Sequence, residues 1–287
     1  MTLHTIWKFS RPHTIIGSTI SVVVLFLLQA GNLIDHFIIL FTTLVSALGC
    51  NVCITGLNQI IDVELDKINK PELPIASGKL DKTTAKKIVI VSGIISLVTA
   101  ALLNWVLLLL ITVILLLGIA YSVPPVQLKK HHLPAALSIT IVRGILVNIG
   151  MAIYFSYLMY GTFEIQPVIY PLTIFISAFS LAIAWYKDLP DRAGDAYFGY
   201  RTFPLLYSPK LALYLGATFV MAAYGWCIFW SYKEAAYLLM YSLILLSIIF
   251  LFYLQTVRLN EEKSVKRFYK LFWGFFFATY LSFLLIL

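Results

Sequence analysis

Long apolar stretches, separated by short polar or Pro- and Gly-containing segments, dominate the pattern of this chain. A helix that crosses the roughly 30 Å hydrocarbon core of a bilayer needs about 20 apolar residues, which is the length of these stretches. They lack the alternation at every second residue that the strands of a membrane barrel would have. The pattern therefore predicts nine membrane-spanning helices. They are expected near residues 14–30, 36–58, 87–104, 106–122, 133–157, 168–187, 211–230, 235–256 and 270–287.

The composition excludes a soluble globular protein. Of the 287 residues, 61% are hydrophobic and only 12% are charged, which is too few to cover a water-facing surface. The connections leave no room for a soluble domain, so we expect residues 1–287 to form a single transmembrane domain of the all-α class. Cys50 and Cys53 form a C-x-x-C inside an apolar stretch, where small side chains favour close helix packing over metal binding.

The basic residues predict how the bundle is oriented. All of the 21 Lys and Arg except Arg143 and Lys233 fall in the N-terminal segment or in the connections after spans 2, 4, 6 and 8. The positive-inside rule places this face and the N-terminus in the cytoplasm. The net charge of +8 is spread over separate loops, which argues against a nucleic-acid partner. Because the N-terminal residues lack the features of a plastid transit peptide, we expect a multi-pass protein of a bacterial inner membrane. A plastid membrane would suit a mature plant or algal chain.

Two connections on this face concentrate the acidic residues. They are the second loop, about residues 59–86, and the sixth loop, about residues 187–210. The first motif consists of Asn58, Asp62 and Asp66, and the second of Asp188, Asp191 and Asp195. Spacings of three and four residues gather each set on one side of a helix. The two loops are four spans apart, as in a parallel duplication of a four-helix unit, and therefore lie on the same side of the membrane.

Five aspartates that converge at a low-dielectric membrane edge would repel one another unless a cation lay between them. Oxygen ligands without nearby His or Cys suit Mg²⁺, which typically bridges carboxylates to substrate phosphates. Two Mg²⁺ ions and a diphosphate, with basic side chains nearby, would balance the charge. The alternative interpretation is that the aspartates only cap helices and solvate a surface loop.

Four segments together resemble the UbiA-type intramembrane prenyltransferases. They are RPHTIIG at 11–17, NQIIDVELDKINKPELPIASG at 58–78, YSVPP at 121–125 and KDLPDRAGD at 187–195. Within that superfamily they are similar to the homogentisate prenyltransferase branch, including Gln59 where many other members have Asp. The resemblance extends to about residue 203, and the last three spans match by hydropathy alone.

The resemblance implies a nine-helix bundle and Mg²⁺-dependent transfer of a phytyl or geranylgeranyl chain. The donor would be an allylic diphosphate and the acceptor an aromatic ring, in this branch homogentisate, which loses its carboxyl group as CO₂ in tocopherol and prenylquinone biosynthesis. Loss of the diphosphate leaves a carbocation that must be kept from water, and a chamber inside a membrane protein provides that protection.

The candidate site follows from the resemblance and from the chemistry of its residues. The candidate metal ligands are Asn58, Asp62, Asp66, Asp188, Asp191 and Asp195. The candidate catalytic residues are Asp62, Asp66, Asp188, Asp191 and Arg143. The candidate substrate-binding residues are Arg11, His13, Asn58, Lys67, Tyr121, Lys129, Lys130, Arg192 and Asp195. Among these, Lys129 and Tyr121 are expected to contact the diphosphate from the fourth loop, and Arg11 and His13 to position the aromatic acceptor.

Arg143 is the one basic residue predicted within a span. Ten residues into span 5 it would lie about 15 Å deep, where an unpaired charge is costly, so it should face a cavity. It could pair there with the carboxylate of an aromatic acid or with the diphosphate. Alternatively, it could make a structural contact with Asn148 or a backbone carbonyl.

Other functions are compatible with parts of this pattern. A related prenyltransferase could use chlorophyllide, a naphthoate, a 4-hydroxybenzoate or a glycerol phosphate ether as acceptor. A nine-helix secondary transporter is the alternative from a different class. Transporters place ionisable and helix-breaking residues near the bilayer midplane, usually in inverted repeats. Here the acidic motifs lie at one membrane edge in parallel repeats, which favours the enzyme.

Overall fold

The computed structural model describes residues 2–30 and 36–287. Within these residues, nine helices are long and apolar enough to cross a membrane. Spans 1 to 9 are, in order, Pro12–Gln29, Phe37–Ile61, Lys82–Leu103, Trp105–Ser122, His132–Tyr160, Ile169–Tyr186, Pro209–Lys233, Tyr237–Gln255 and Glu262–Ile286. The same residues contain no β-strand, so the predicted all-α, nine-helix membrane bundle is confirmed. The predicted short connection after span 1, residues 31–35, lies outside the described residues.

Shorter helical segments lie at the N-terminus and in the connections after spans 2, 4 and 6, at what we call the motif end of the bundle. They are the helices Leu3–Phe9, Val63–Asn69, Arg192–Tyr197 and Phe203–Leu206 and the 3₁₀ turn Leu128–Lys130. The predicted bounds of the spans hold to within a few residues, with one larger difference. Span 9 begins at Glu262 rather than near residue 270. Its first turns are amphipathic, with Val265 and Phe268 buried between charged residues, so mean hydropathy alone misses them.

The spans form a closed bundle. Neighbours in sequence pack side by side, most extensively spans 2 and 3 and then spans 5, 6 and 7, and span 9 returns to contact span 1. Aromatic rings fill the interior between spans 6 and 9, where Phe179 and Phe272 stack with their centroids 4.6 Å apart. Large aromatic side chains bury much apolar surface and pack rigidly. The tightly packed bundle therefore supports the loops at the motif end.

Span 5 departs from α-helical geometry in its middle. Thr140–Gly150 is π-helical, with α-helix on both sides. The Asn148 amide donates to the backbone oxygens of Arg143 and Gly144, at 3.0 and 2.7 Å, and accepts from the Tyr280 hydroxyl at 2.5 Å. Irregular turns inside a membrane protein need such side chains to satisfy the backbone. π-Helical turns are frequent at functional sites, and this one carries Arg143.

Spans 2 and 3 approach each other closely through small residues. Ser46 and Ser96 hydrogen-bond to each other's backbone oxygens at 2.8 and 2.7 Å. A Cβ atom added at Gly49 would lie 2.8 Å from the backbone oxygen of Ser92, which cannot rotate away as a side chain could. Small residues at helix interfaces allow this approach in membranes, where van der Waals packing and hydrogen bonds provide the association energy.

We therefore expect Gly49→Ala to lower the free energy of unfolding by about 1–3 kcal/mol, because the added methyl group forces spans 2 and 3 apart. Gly225→Ala is the matched control, since an added Cβ at this exposed position in span 7 has no neighbour within 4 Å. That change should be neutral or slightly stabilising, as Ala favours a helix over Gly. Reversible unfolding in mixed detergent micelles measures both. Equal stability of the two variants would contradict the close packing at Gly49.

Candidate active site

The first acidic motif lies where span 2 continues past its end into a short helix. Span 2 stops at Ile61, Asp62 has a non-helical backbone conformation, and Val63–Asn69 forms the next helix. The backbone N–H of Asp66 still donates to the backbone oxygen of Asp62, at 2.7 Å, so the helical hydrogen-bond pattern continues from one segment to the next. Asp62 and Asp66 are both buried, at 8% and 4% exposure.

The second motif lies at the equivalent place after span 6. Span 6 ends at Tyr186, and the chain makes a turn before the helix Arg192–Tyr197. Asp188, Asp191 and Asp195 are all buried, at 4, 7 and 5% exposure. Water-exposed helix caps would not be buried to this extent, so burial argues against a purely solvated loop.

The two motifs touch directly through Asn69. Its amide nitrogen donates to Asp195 Oδ1 at 3.2 Å, and its Oδ1 accepts from the backbone N–H of Gly194 at 2.9 Å. The short helices Val63–Asn69 and Arg192–Tyr197 pack against each other around this contact. The structure thus brings the two acidic loops together, as the sequence predicts.

A cavity of about 630 Å³ opens between the motifs. The predicted residues that line it are Arg11, His13, Asn58, Asp62, Asp66, Tyr121, Lys129, Arg143, Asp188, Asp191 and Asp195. A second cavity of about 250 Å³ has a largely apolar lining from spans 1, 2, 4 and 5. The two share Ile54, Tyr121, Ile139 and Arg143 among their lining residues. A charged chamber at the motif end therefore adjoins an apolar chamber within the bundle.

Three of the buried aspartates form ion pairs with lysines. Lys129 Nζ lies 2.5 Å from Asp62 Oδ1, and Lys187 Nζ lies 2.5 Å from Asp188 Oδ1. Lys70 forms an ion pair with Asp191. The 3₁₀ turn that carries Lys129 is anchored to the sixth loop, because the backbone N–H of Arg201 donates to the backbone oxygen of Lys130 at 2.8 Å.

The carboxylates nevertheless outnumber their cationic partners. Asp66 Oδ2 and Asp191 Oδ1 are buried without a hydrogen-bond partner. Burial raises the pKa of Asp66 to about 6, even though Arg11 and Lys70 oppose the shift. Burial, reinforced by Asp188, raises the pKa of Asp195 to about 7. Both shifts indicate that the cluster could accommodate further positive charge.

The donor set suits a divalent metal that is shared with a ligand. Among the described residues, no group of three or more Asp, Glu, His or Cys side chains converges closely enough to hold a metal alone. The available donors are hard oxygens, two of them unpartnered, which fits Mg²⁺ completing its coordination with water and phosphate.

Arg143 reaches the boundary of the two cavities, and within residues 2–30 and 36–287 it has no acidic partner. Its guanidinium carbon lies 4.7 Å from the centre of the Trp273 ring and 5.8 Å from that of Phe276, and its Nε has no hydrogen-bond partner. The alternative contact between its side chain and Asn148 is not found, because Asn148 bonds to backbone oxygens and to Tyr280. A guanidinium that is stacked on aromatic faces keeps its N–H groups available for an anion.

Arg11 and His13 both line the cavity, and His13 lies beside the same aromatic surface as Arg143. His13 and Trp273 are in ring contact at 4.9 Å, and Arg11 Nε is buried without a partner. Arg11 has a positive φ of 54°, which is uncommon outside glycine. Such strain persists where the surrounding structure enforces it, and it occurs at functional sites.

Three predicted substrate-binding residues do not line the cavity. Lys67 is 52% exposed and pairs with Glu64. Lys130 lies near the Tyr200 ring, 6.0 Å from its centre. Arg192 donates to the backbone oxygens of Leu189 and Leu259, which ties the sixth loop to the eighth. All three are on the predicted face but lie outside the lining of the chamber.

The structure adds residues that the sequence argument did not select. Asn69, Lys70, Lys187 and Tyr200 all line the cavity, and the Tyr200 hydroxyl lies 3.5 Å from Asp62 Oδ1. Asn69 continues the helical stripe that contains Asp62 and Asp66 and could have been found from its spacing. In the sequence Lys70 differs from Lys67 by preceding Pro71, which disfavours helical backbone at Lys70 but does not reveal its partner Asp191.

We expect Asn69→Ala to lower the free energy of unfolding by about 1–3 kcal/mol, because it leaves buried polar groups of Gly194 and Asp195 unpaired. Lys67→Ala, in the same short helix but facing solvent, should change stability by less than about 0.5 kcal/mol. Unfolding in detergent measures both. An Asn69 variant as stable as the control would contradict the bridging role.

Comparisons with known proteins agree with this geometry. The model of the UbiA prenyltransferase family matches residues 18–279. Homogentisate phytyltransferase from Synechocystis sp. is 39% identical over 301 aligned positions, which cover 100% of this chain and 96% of that protein. Homogentisate phytyltransferase 1 from Arabidopsis thaliana, a chloroplast protein, is 37% identical over 78% of this chain and 59% of its own length.

A solved structure has the same fold. A UbiA homologue from Archaeoglobus fulgidus, described as bound to DMAPP and Mg²⁺, superposes with a TM-score of 0.65 over 96% of this chain and 99% of that one, at 17% identity. The match of the family model to most of the chain, together with the full-length relative, identifies the chain as an integral membrane protein that belongs to the UbiA prenyltransferase family.

Proposed function

We propose that this protein transfers a phytyl or geranylgeranyl chain from its allylic diphosphate to homogentisate, in tocopherol and prenylquinone biosynthesis. The observation that carries the proposal is one charged chamber, lined by five aspartates and several basic residues, that adjoins an apolar chamber inside the bundle. A lipid diphosphate has a charged end that suits the first chamber and an apolar chain that suits the second. The homogentisate acceptor is supported by the names of the two curated relatives.

In the proposed reaction the allylic C–O bond breaks and the diphosphate departs with the bonding electrons. A ring carbon of the acceptor forms the new C–C bond and loses a proton. The acceptor's carboxylate leaves as CO₂, and the side-chain carbon that carried it takes up a proton. Positive groups aimed at the departing diphosphate stabilise the developing charge in a site that excludes water. The interior aromatic and aliphatic residues keep the allylic cation from being hydrolysed.

Asp62, Asp66, Asp188 and Asp191 would hold Mg²⁺, in our proposal two ions, with Asn58 and Asp195 as further ligands or as residues that orient them. Bound Mg²⁺ would neutralise the diphosphate and make it a better leaving group. Of these residues, Asn58 also donates to the Ser122 hydroxyl at 3.2 Å, which orients its amide toward the chamber.

The remaining residues divide between the two substrates. Lys129 and Tyr121 would contact the diphosphate from the end of span 4 and the turn that follows it. Arg143 would bind the carboxylate of the acceptor, while Arg11 and His13 would position the aromatic ring near Trp273. This assignment is supported by the absence of any acidic partner for Arg143 among the described residues.

The motif end of the bundle would face the cytoplasm, with residues 1–287 acting as a single transmembrane domain. The distribution of Lys and Arg supports this orientation. We propose a bacterial inner membrane as the location, which the cyanobacterial relative supports.

The test is product analysis with detergent-purified protein, homogentisate and allylic diphosphates of several chain lengths, with and without EDTA. We expect a prenylated, decarboxylated product that disappears when EDTA removes the metal. Asp62→Asn should lower kcat by about 100-fold or more, since it removes a proposed metal ligand. Glu64→Gln, on the exposed side of the same helix, is the matched control and should retain activity. Turnover in EDTA would refute the metal assignment, and turnover of another acceptor alone would refute homogentisate.

Arg143→Gln tests the acceptor site separately. Loss of one charge-assisted contact costs about 1.5–3 kcal/mol, so KM for homogentisate should rise about tenfold to a hundredfold while KM for the diphosphate changes little. Arg258→Gln, at a side chain that is 74% exposed, serves as the control. A selective rise in KM for the diphosphate would instead assign Arg143 to that substrate.

A further inference from the structure

Each of three buried aspartates in the chamber already has a cation from the protein itself. Asp62 is paired with Lys129, Asp188 with Lys187, and Asp191 with Lys70. Lys70 comes from the second loop, Lys129 from the fourth and Lys187 from the sixth. The Lys129–Asp62 pair is the most enclosed, with side-chain exposures of 5 and 9%. The lysines therefore engage oxygens of three carboxylates that the proposed function gives to the metal.

A metal ion that binds alone to the paired oxygens of these three carboxylates would have to displace the lysines. A displaced ammonium group in a poorly hydrated chamber is left without its partner, which is costly. The same holds in reverse for a diphosphate that binds alone, since it could attract the lysines only by leaving the aspartates unpaired. Each ligand alone thus meets an opposing cost from the same three ion pairs.

The two ligands together remove this cost. All three lysines line the same cavity as all five aspartates, so an ammonium group that leaves a carboxylate has a phosphate within the same chamber. The metal then binds the carboxylate, and the lysine forms an ion pair with the phosphate. The total number of oppositely charged contacts is preserved while the partners change.

We propose that Lys70, Lys129 and Lys187 are exchangeable counter-ions, which hold the metal-binding aspartates in the free enzyme and transfer to the diphosphate when metal and diphosphate bind. The inference rests on the proposed function and goes beyond it in one respect. It requires that metal and diphosphate each strengthen the binding of the other, with the lysines as the source of the coupling. Binding linkage makes this coupling equal in both directions.

Equilibrium binding to the full-length protein in detergent tests the exchange without turnover. Free Mn²⁺, a spectroscopic substitute for Mg²⁺, is measured by its paramagnetic resonance signal with and without inorganic pyrophosphate. For the unsubstituted protein we expect weak binding of Mn²⁺ alone, and binding that is at least about fivefold tighter with pyrophosphate. The association of Mn²⁺ with pyrophosphate in solution is the same for every variant and cancels in their comparison.

Substitution of a lysine should change the two affinities in opposite directions. Lys129→Gln frees Asp62, so Mn²⁺ alone should bind about fivefold or more tightly, while the enhancement by pyrophosphate should fall by a similar factor. Lys129→Arg keeps the charge and should behave like the unsubstituted protein. Lys70→Gln, whose lysine is 30% exposed, provides the same test at a site more tolerant of substitution if the Lys129 variant does not fold. Lys67→Gln, from the surface pair with Glu64, is the matched control and should change neither affinity.

Unchanged or weaker binding of Mn²⁺ alone in the folded lysine variants would overturn the exchange. That result, obtained while the unsubstituted protein still binds Mn²⁺ and pyrophosphate together, would leave the proposed prenyl transfer standing. Failure of the unsubstituted protein to bind either ligand would refute both proposals.

Discussion

Buried carboxylates at the edge of a membrane dominate the electrostatics of this protein. An ionised group loses most of its hydration when it is enclosed, and several of like sign raise the cost further. Five aspartates are enclosed together here, between loops that belong to different halves of the bundle. The arrangement is tolerable because lysines from three loops neutralise part of the charge and because two carboxylates have raised pKa values. A metal and a diphosphate would complete this balance.

A few local contacts position the side chains of this aspartate cluster. The helical register continues across Asp62, so the first motif keeps its polar side chains on the chamber side. Asn69 joins the two acidic loops, and the backbone contact between residues 130 and 201 holds the loop of Lys129 against the sixth loop. Below them, stacked aromatic rings in spans 6 and 9 form a rigid apolar interior. Most of the charged residues lie at one end of the bundle, and apolar volume lies beneath them.

The nine spans could be predicted because bilayer thickness imposes a length of apolar sequence that composition reveals directly. The convergence of the two motifs could be predicted because loops four spans apart share a membrane face. The choice between Lys67 and Lys70 could not. Asn69 is the last helical residue, and the backbone at Lys70 leaves the helix with φ −145° and ψ 60°, which lets Lys70 reach Asp191 while Lys67 remains at the surface. Pro71 disfavours helical backbone at Lys70 and so marks this helix end, but the sequence does not show that Asp191 of the sixth loop lies within reach of the Lys70 side chain.

Hydropathy also cannot predict the π-helical stretch in span 5, since this stretch does not alter the length or polarity of the span. It has a consequence for how such a site can diversify. Deleting one residue within Thr140–Gly150 would return part of this stretch to α-helical winding and change which of its side chains face the cavities. Arg143 could then leave the boundary of the two cavities although the residue itself is retained. If Arg143 binds the acceptor as proposed, an insertion or deletion in this segment would alter the acceptor site without replacing any of its side chains.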